Sequence, residues 1–188
     1  ILPIGGFLAF HLFENYQATR GADAYNEMTH KLQTLPFAVA AEILIIAVPL
    51  LFHGIYGLFV TGTASPNPIT NRYFRNFMYT LQRVTGVIVF AFILFHYWTT
   101  RLVQLTDHES LNLFNQVQAA VANPWIYAFY IAGILSATFH LANGIWSFSI
   151  VWGITVGPQA QRRMLYISFA VFVALSFLGV RSISAFRL

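Results

Sequence analysis

Five long apolar stretches, separated by short polar segments, set the pattern of this chain. An α-helix needs roughly 20 mostly apolar residues to span the hydrocarbon of a bilayer. The pattern predicts helices over about 1–17, 36–61, 77–101, 124–152 and 164–185. Residues 43–71 carry no charge, and neither do residues 84–100. Between the first two helices Arg20, Asp23, Asn26, Glu27, His30 and Lys31 read as a polar connection, with Gly21 at the helix exit. Leu35-Pro36 reads as a start signal, because proline fits the first turn of a helix. Pro49 lies one turn before His53, which predicts a kink. Ser65-Pro66-Asn67-Pro68 reads as a turn. Thr106-Asp107-His108-Glu109 reads as a loop, and residues 110–123 as a short interfacial helix. Asn123-Pro124 restarts the chain, Gly153 to Pro158 ends the fourth helix, and Arg162-Arg163 mark a water interface.

Four histidines stand inside the apolar runs, and their contexts come in two kinds. Phe7-Leu8-Ala9-Phe10-His11 resembles Phe92-Ile93-Leu94-Phe95-His96, and Phe52-His53 and Phe139-His140 each have a glycine four residues after the histidine. His11 and His96 are 85 positions apart (96 − 11), and His53 and His140 are 87 apart (140 − 53). Such self-similarity predicts one two-helix unit used twice, helices I–II and III–IV. The expected fold is therefore all-α: an integral membrane bundle of five transmembrane helices with an internal repeat.

Composition agrees with a membrane. Hydrophobic residues make up 57% and charged residues 9% of the 188. Soluble domains carry about 25% charged residues. The absence of cysteine rules out disulfides and thiolate-held iron–sulfur clusters within the chain. A net charge of +4 argues only weakly for nucleic acid. Nothing resembles a cleavable signal. The chain opens on Ile1 within an apolar stretch, so a short preceding segment is expected. Five Lys/Arg fall on each side of the expected bundle, so the positive-inside rule does not orient it. All six acidic residues fall on one side.

Helix direction alternates, so depth follows from a rise of about 1.5 Å per residue. His96 lies five residues before Arg101, and His11 lies three before Glu14. Both therefore sit near the acidic side. His53, eleven residues after Glu42, and His140, sixteen after Pro124, sit about 16 Å and 24 Å deeper from that side. The predicted pairs are His11 with His96 and His53 with His140, all four buried in the bundle.

Neutral imidazole is an axial ligand for haem iron, and two of them saturate the metal, which suits electron transfer. Two matched pairs predict two haems b. Gly57 and Gly144 share a face with His53 and His140, and Gly133 lies two turns before His140, where a flat macrocycle can approach the backbone. Ser136 is a candidate acceptor for the ring N–H of His140. A hydrogen-bonded packing histidine is the competing reading of any one of the four, but ionisable groups inside a membrane mark function by default. The small-residue spacings also suit plain helix packing. His30 and His108, in polar segments, read as surface residues.

Specific motifs carry a resemblance. They include Arg20-Gly21-Ala22-Asp23-Ala24-Tyr25-Asn26, Leu35-Pro36-Phe37, Tyr73-Phe74-Arg75-Asn76, Leu81-Gln82-Arg83-Val84-Thr85-Gly86, Thr138-Phe139-His140 and Asn143-Gly144-Ile145-Trp146-Ser147-Phe148. Over nearly its whole length the chain resembles the cytochrome b membrane-anchor subunits of succinate:menaquinone oxidoreductases and fumarate reductases, of the single-chain, five-helix, two-haem type. The resemblance implies a flavoprotein subunit that oxidises succinate and an iron–sulfur subunit that passes electrons to this anchor. The haems carry them to menaquinone, a weak oxidant for succinate. It implies a bacterial inner (cytoplasmic) membrane, with the N-terminus and the Arg72/Arg75 and Arg162/Arg163 loops facing the cytoplasm. The His53/His140 haem is then proximal to the iron–sulfur subunit and the His11/His96 haem distal. Gln82, Arg83 and Thr85 become candidates for proximal propionates or for contact with the iron–sulfur subunit, a plain interfacial arginine being the alternative for Arg83. Glu42, Trp98 and Arg101 become candidates for quinone or distal propionate binding. Other functions stay open at this point: a cytochrome b of a hydrogenase or formate dehydrogenase, or a haem-free transporter with a histidine proton relay.

Overall fold

The computed structural model describes residues 2–106 and 112–187. Ile1, Leu188 and the segment 107–111, which holds His108 and most of the expected 106–109 loop, lie outside the described residues. All regular structure among the described residues is helical.

Among the described residues seven helices follow in order: α1 (Leu2–Asn15), α2 (Ala22–Gln33), α3 (Ala38–Gly62), α4 (Phe74–Leu105), α5 (Leu113–Val121), α6 (Pro124–Val151) and α7 (Pro158–Ala185). Among the described residues α3, α4, α6 and α7 are the helices long and apolar enough to cross a membrane. With 14 residues, α1 is shorter than a span.

Several boundaries depart from the sequence pattern. The polar connection after α1 is itself helical. A 3₁₀ turn, Tyr16–Arg20, leads to Gly21 at φ 104, and α2 follows. Asp23 in its first turn and His30 and Lys31 in its last complement the helix dipole. Its apolar side is narrow, which hides it from a span-length window, yet Tyr25 and Thr29 are buried. Pro36 does not open α3; Phe37 intervenes in the left-handed region at φ 66, unusual for a residue with a side chain. Helix α7 starts at Pro158 in the first turn, after Gly157 at φ 83, so Arg162 and Arg163 lie inside it rather than before it.

The helix ladder changes just before Pro49, where the sequence predicts a kink. Glu42–Ala47 is a π-helical turn, directly before the segment that carries Pro49 in its first turn. Proline lacks an N–H and its ring crowds the carbonyl four residues back, so the ladder widens there. A second π turn, Trp98–Leu102, lies just past His96.

Helices α4 and α6 run antiparallel in a constant register. Gly86 faces His140, Phe92 fills the place of a side chain at Gly133, and His96 meets Tyr130. A Cβ on Gly133 would lie 2.3 Å from the Phe92 ring, so the missing side chain is what permits the approach. Between α6 and α7, Gly179 does the same for Ile134, at 2.5 Å. Thr138 and Ser176 share a hydrogen bond of 2.8 Å, and Tyr127 and Ser184 one of 2.9 Å. The core gathers at the acidic end, where α2 and α5 close the bundle around Tyr25, Phe114, Val121, Tyr130, Ile183 and Phe186. There burial, with the Glu14 charge nearby, pushes the Tyr25 phenol well above its ordinary range. By contrast, α3 stands apart: no residue in its most apolar window is buried, against 28% of the α6 window.

Candidate functional site

The four histidines of the apolar runs meet in two pairs. His11 and His96 have ring centroids 5.8 Å apart, inclined at 67°. His53 and His140 have centroids 6.0 Å apart, inclined at 71°. The rings are less enclosed than a buried cluster: His53 is exposed and the other three are half-buried. The reason is α3, whose apolar window buries no residue, although it comes close to α4 at Gly54, where a Cβ would meet Phe90 at 2.7 Å.

Each ring of the α4–α6 interface is held by its Nδ1. His140 donates to the backbone carbonyl of Gln82 at 3.1 Å, with the Thr85 hydroxyl 3.4 Å from the same nitrogen. Ser136, the residue expected from sequence to accept this bond, is not the acceptor. Gln82 is itself locked, its amide donating to the His140 carbonyl at 3.1 Å and its oxygen accepting from Asn143 at 2.7 Å. Gly86 leaves room for this seat, because a Cβ there would lie 3.0 Å from Cε1 of His140. On the other pair, Nδ1 of His96 lies 3.4 Å from the Tyr130 hydroxyl. His11 is bracketed by the Asn15 amide at 3.3 Å and the Glu14 carboxylate at 3.7 Å, and Tyr25 donates to Asn15 at 3.2 Å. Sequence reading missed Asn15, Tyr130 and Asn143. Asn143, three residues after His140, carried a positional signal; the other two needed the tertiary fold.

The candidate glycines divide. Gly57, one turn after His53, meets nothing within 4 Å, whereas Gly144 faces the Gln82 amide and Gly133 holds Phe92. Those last two lie against protein side chains.

Arg83 lies next to the His140 seat. Its guanidinium stacks over the Tyr79 ring at 3.4 Å and donates to the Tyr79 carbonyl at 3.1 Å, while its buried Nε has no partner. Gln82 and Thr85 are occupied with His140 and their own helix, so of the three Arg83 keeps a donor atom, Nε, without a partner. On the acidic side Glu42 and Arg101 form a two-pronged ion pair, Nε to Oε1 at 2.9 Å and Nη2 to Oε2 at 2.7 Å. It joins the two π turns. Trp98 is 68% exposed on the second of them.

The donor set fits haem. A metal–imidazole bond is about 2 Å, so two rings on opposite sides of one ion have centres roughly 6 Å apart. With Nδ1 tied up, His140 and His96 keep Nε2 for a metal. Among the described residues no three His, Asp or Glu side chains gather to hold an ion. A pair of imidazoles therefore suits a metal whose other donors come from a macrocycle.

The family model of the succinate dehydrogenase/fumarate reductase transmembrane subunit matches residues 71–179. The succinate dehydrogenase cytochrome b558 subunit of Bacillus subtilis (strain 168) is 43% identical over 186 residues, 99% of this chain and 91% of that protein. This chain belongs to the succinate dehydrogenase/fumarate reductase transmembrane subunit family. It is a multi-pass membrane protein and the electron-transport subunit of an oxidoreductase complex. No solved structure matches it. The residues matched by the family model hold the α4–α6 register, and with it His96, His140 and the Gln82–Asn143 clamp.

Proposed function

We propose that the chain is the di-haem cytochrome b subunit of a succinate:menaquinone oxidoreductase, with His53/His140 and His11/His96 as the two axial pairs. The observation that carries this is the pair of imidazole–imidazole spacings, 6.0 and 5.8 Å, at two separate levels of the bundle. The cytochrome b naming of the Bacillus subtilis relative supports it. When bound, the haem irons supply one-electron carriage between an iron–sulfur subunit and menaquinone. The chain's residues do the rest. Gln82 and Asn143 orient His140, and Arg83 offers its unpartnered Nε to an anionic propionate. The Glu42–Arg101 pair, near Trp98 and the His11/His96 level, offers polar groups to a quinone or to a distal propionate. Succinate chemistry belongs to a flavoprotein partner, since no soluble stretch here is long enough for a flavin domain. The reading includes α1 as a fifth spanning helix, a bacterial inner membrane, and a cytoplasmic N-terminus with the Arg72/Arg75 and Arg162/Arg163 loops on that side.

Haem and protein quantified on one purified sample test this reading. The expected result is two b-type haems per chain. His53→Ala and His140→Ala should remove one spectral component, and His11→Ala and His96→Ala the other. One haem per chain, or loss of the same component in His53→Ala and His96→Ala, overturns it.

A further inference from the structure

The two α4–α6 histidines differ in what accepts their Nδ1–H. For His140 it is a backbone carbonyl, which no substitution removes. For His96 the group 3.4 Å from Nδ1 is a side chain, the Tyr130 hydroxyl, which can accept when Nδ1 carries the proton. Tyr130 is 4% exposed, and its ring lies edge-on to His96 at 5.8 Å and 84°. Phe92 meets Tyr130 edge-on at 5.3 Å and stacks on His96 at 5.7 Å and 18°, and Phe95 lies 6.2 Å from Tyr130. These rings pack around both partners, and the Thr99 hydroxyl is a second hydrogen-bonding neighbour of the Tyr130 oxygen. Once Nε2 is committed to iron, Nδ1 must carry the proton, and the Tyr130 oxygen must accept it.

We propose that Tyr130 is a positioning residue for His96 and sets the reduction potential of the haem held by His11 and His96. This rests on the di-haem reading above. An accepted Nδ1–H bond fixes ring orientation and raises the electron donation of the imidazole, which favours oxidised iron. Removing the acceptor therefore favours reduction. The 3.4 Å separation makes the bond a weak one, so the shift is modest. The His53/His140 pair does not touch Tyr130; along α6, Tyr130 and His140 are ten residues, about 15 Å, apart.

The test is a redox titration of the purified complex, followed by visible absorption. Tyr130→Phe keeps the ring and removes the acceptor. Both haems should remain, and one component should become easier to reduce. The expected change is about three- to tenfold in the equilibrium, or roughly 30–60 mV at 59 mV per tenfold for one electron. The component that moves should be the one missing in His96→Ala. Tyr130→Gln, which restores a polar acceptor, should bring the potential back toward the native value and serves alone if Tyr130→Phe does not assemble. In that case a Tyr130→Gln potential displaced beyond the range given for Tyr130→Phe overturns the proposal. Unchanged potentials in Tyr130→Phe, or equal movement of both components, also overturn it. A native complex that titrates as a single haem removes the di-haem reading on which it stands.

Discussion

At the scale of single residues, side chains of α4 and α6 interlock around glycines. Phe92 is the clearest case. It occupies the space over Gly133, stacks on His96 and meets Tyr130, Phe129 and the acidic-end core. Gly133→Ala puts a methyl 2.3 Å from that ring, so the ring must move. Overpacking of this kind costs about 1–3 kcal/mol. Under the proposed function we expect a lowered melting temperature for the complex and a disturbed His11/His96 spectral component, with the His53/His140 component intact. Melting followed by absorption at both components checks this. The histidines and the ion-pair partners Glu42 and Arg101 were legible in the sequence, because charge or imidazole inside an apolar run stands out against its background. The acceptor for His140 was not. A backbone carbonyl has no residue letter, so reasoning over side chains chose Ser136 where the fold uses Gln82.

At the scale of elements, the helices differ in how they are held. Glycine contacts and hydrogen bonds tie α6 to α4 and α7, whereas α3 buries none of its apolar window. Besides packing against α1, α3 is tied by a glycine–phenylalanine contact at Gly54, the Glu42–Arg101 pair, and the proposed ligation through His53. Haem loss should therefore release α3 first. In cells blocked in haem synthesis, backbone hydrogen exchange of any chain that accumulates should rise over Ala38–Gly62, while α6 and α7 stay protected. Uniform protection would mean that α3 is held by lipid and protein contacts alone. The long apolar runs announced α3, α4, α6 and α7 to within a few residues except at the start of α7, where the arginines masked a helix opening at Pro158. Short α2 escaped notice because its packing depends on one narrow face around Tyr25. The π turns were illegible too, since a one-residue excess in the ladder leaves no mark in composition.

At the scale of the whole molecule, the α4–α6 register sets the distance between the two imidazole pairs. Gly86, against His140, and His96 lie on one unbroken α-helical stretch ten residues apart, about 15 Å along its axis. That is roughly half of the ~30 Å hydrocarbon thickness. Under the proposed function electrons enter at the His53/His140 level on the cytoplasmic side and leave near Glu42 and Arg101 on the other. Menaquinone is a weak oxidant for succinate, so the chemical drive is small. One elementary charge crossing 100 mV is worth about 2.3 kcal/mol, enough to tip a marginal reaction even when only part of the membrane is crossed. Collapsing the membrane potential in intact cells should therefore slow succinate oxidation by menaquinone. Reduction of a soluble dye that takes electrons from the iron–sulfur subunit should be unaffected, because that route never enters the membrane. If neither rate responds, charge does not cross within this subunit, and the quinone reacts on the cytoplasmic side near Arg83 instead of beside the Glu42–Arg101 pair.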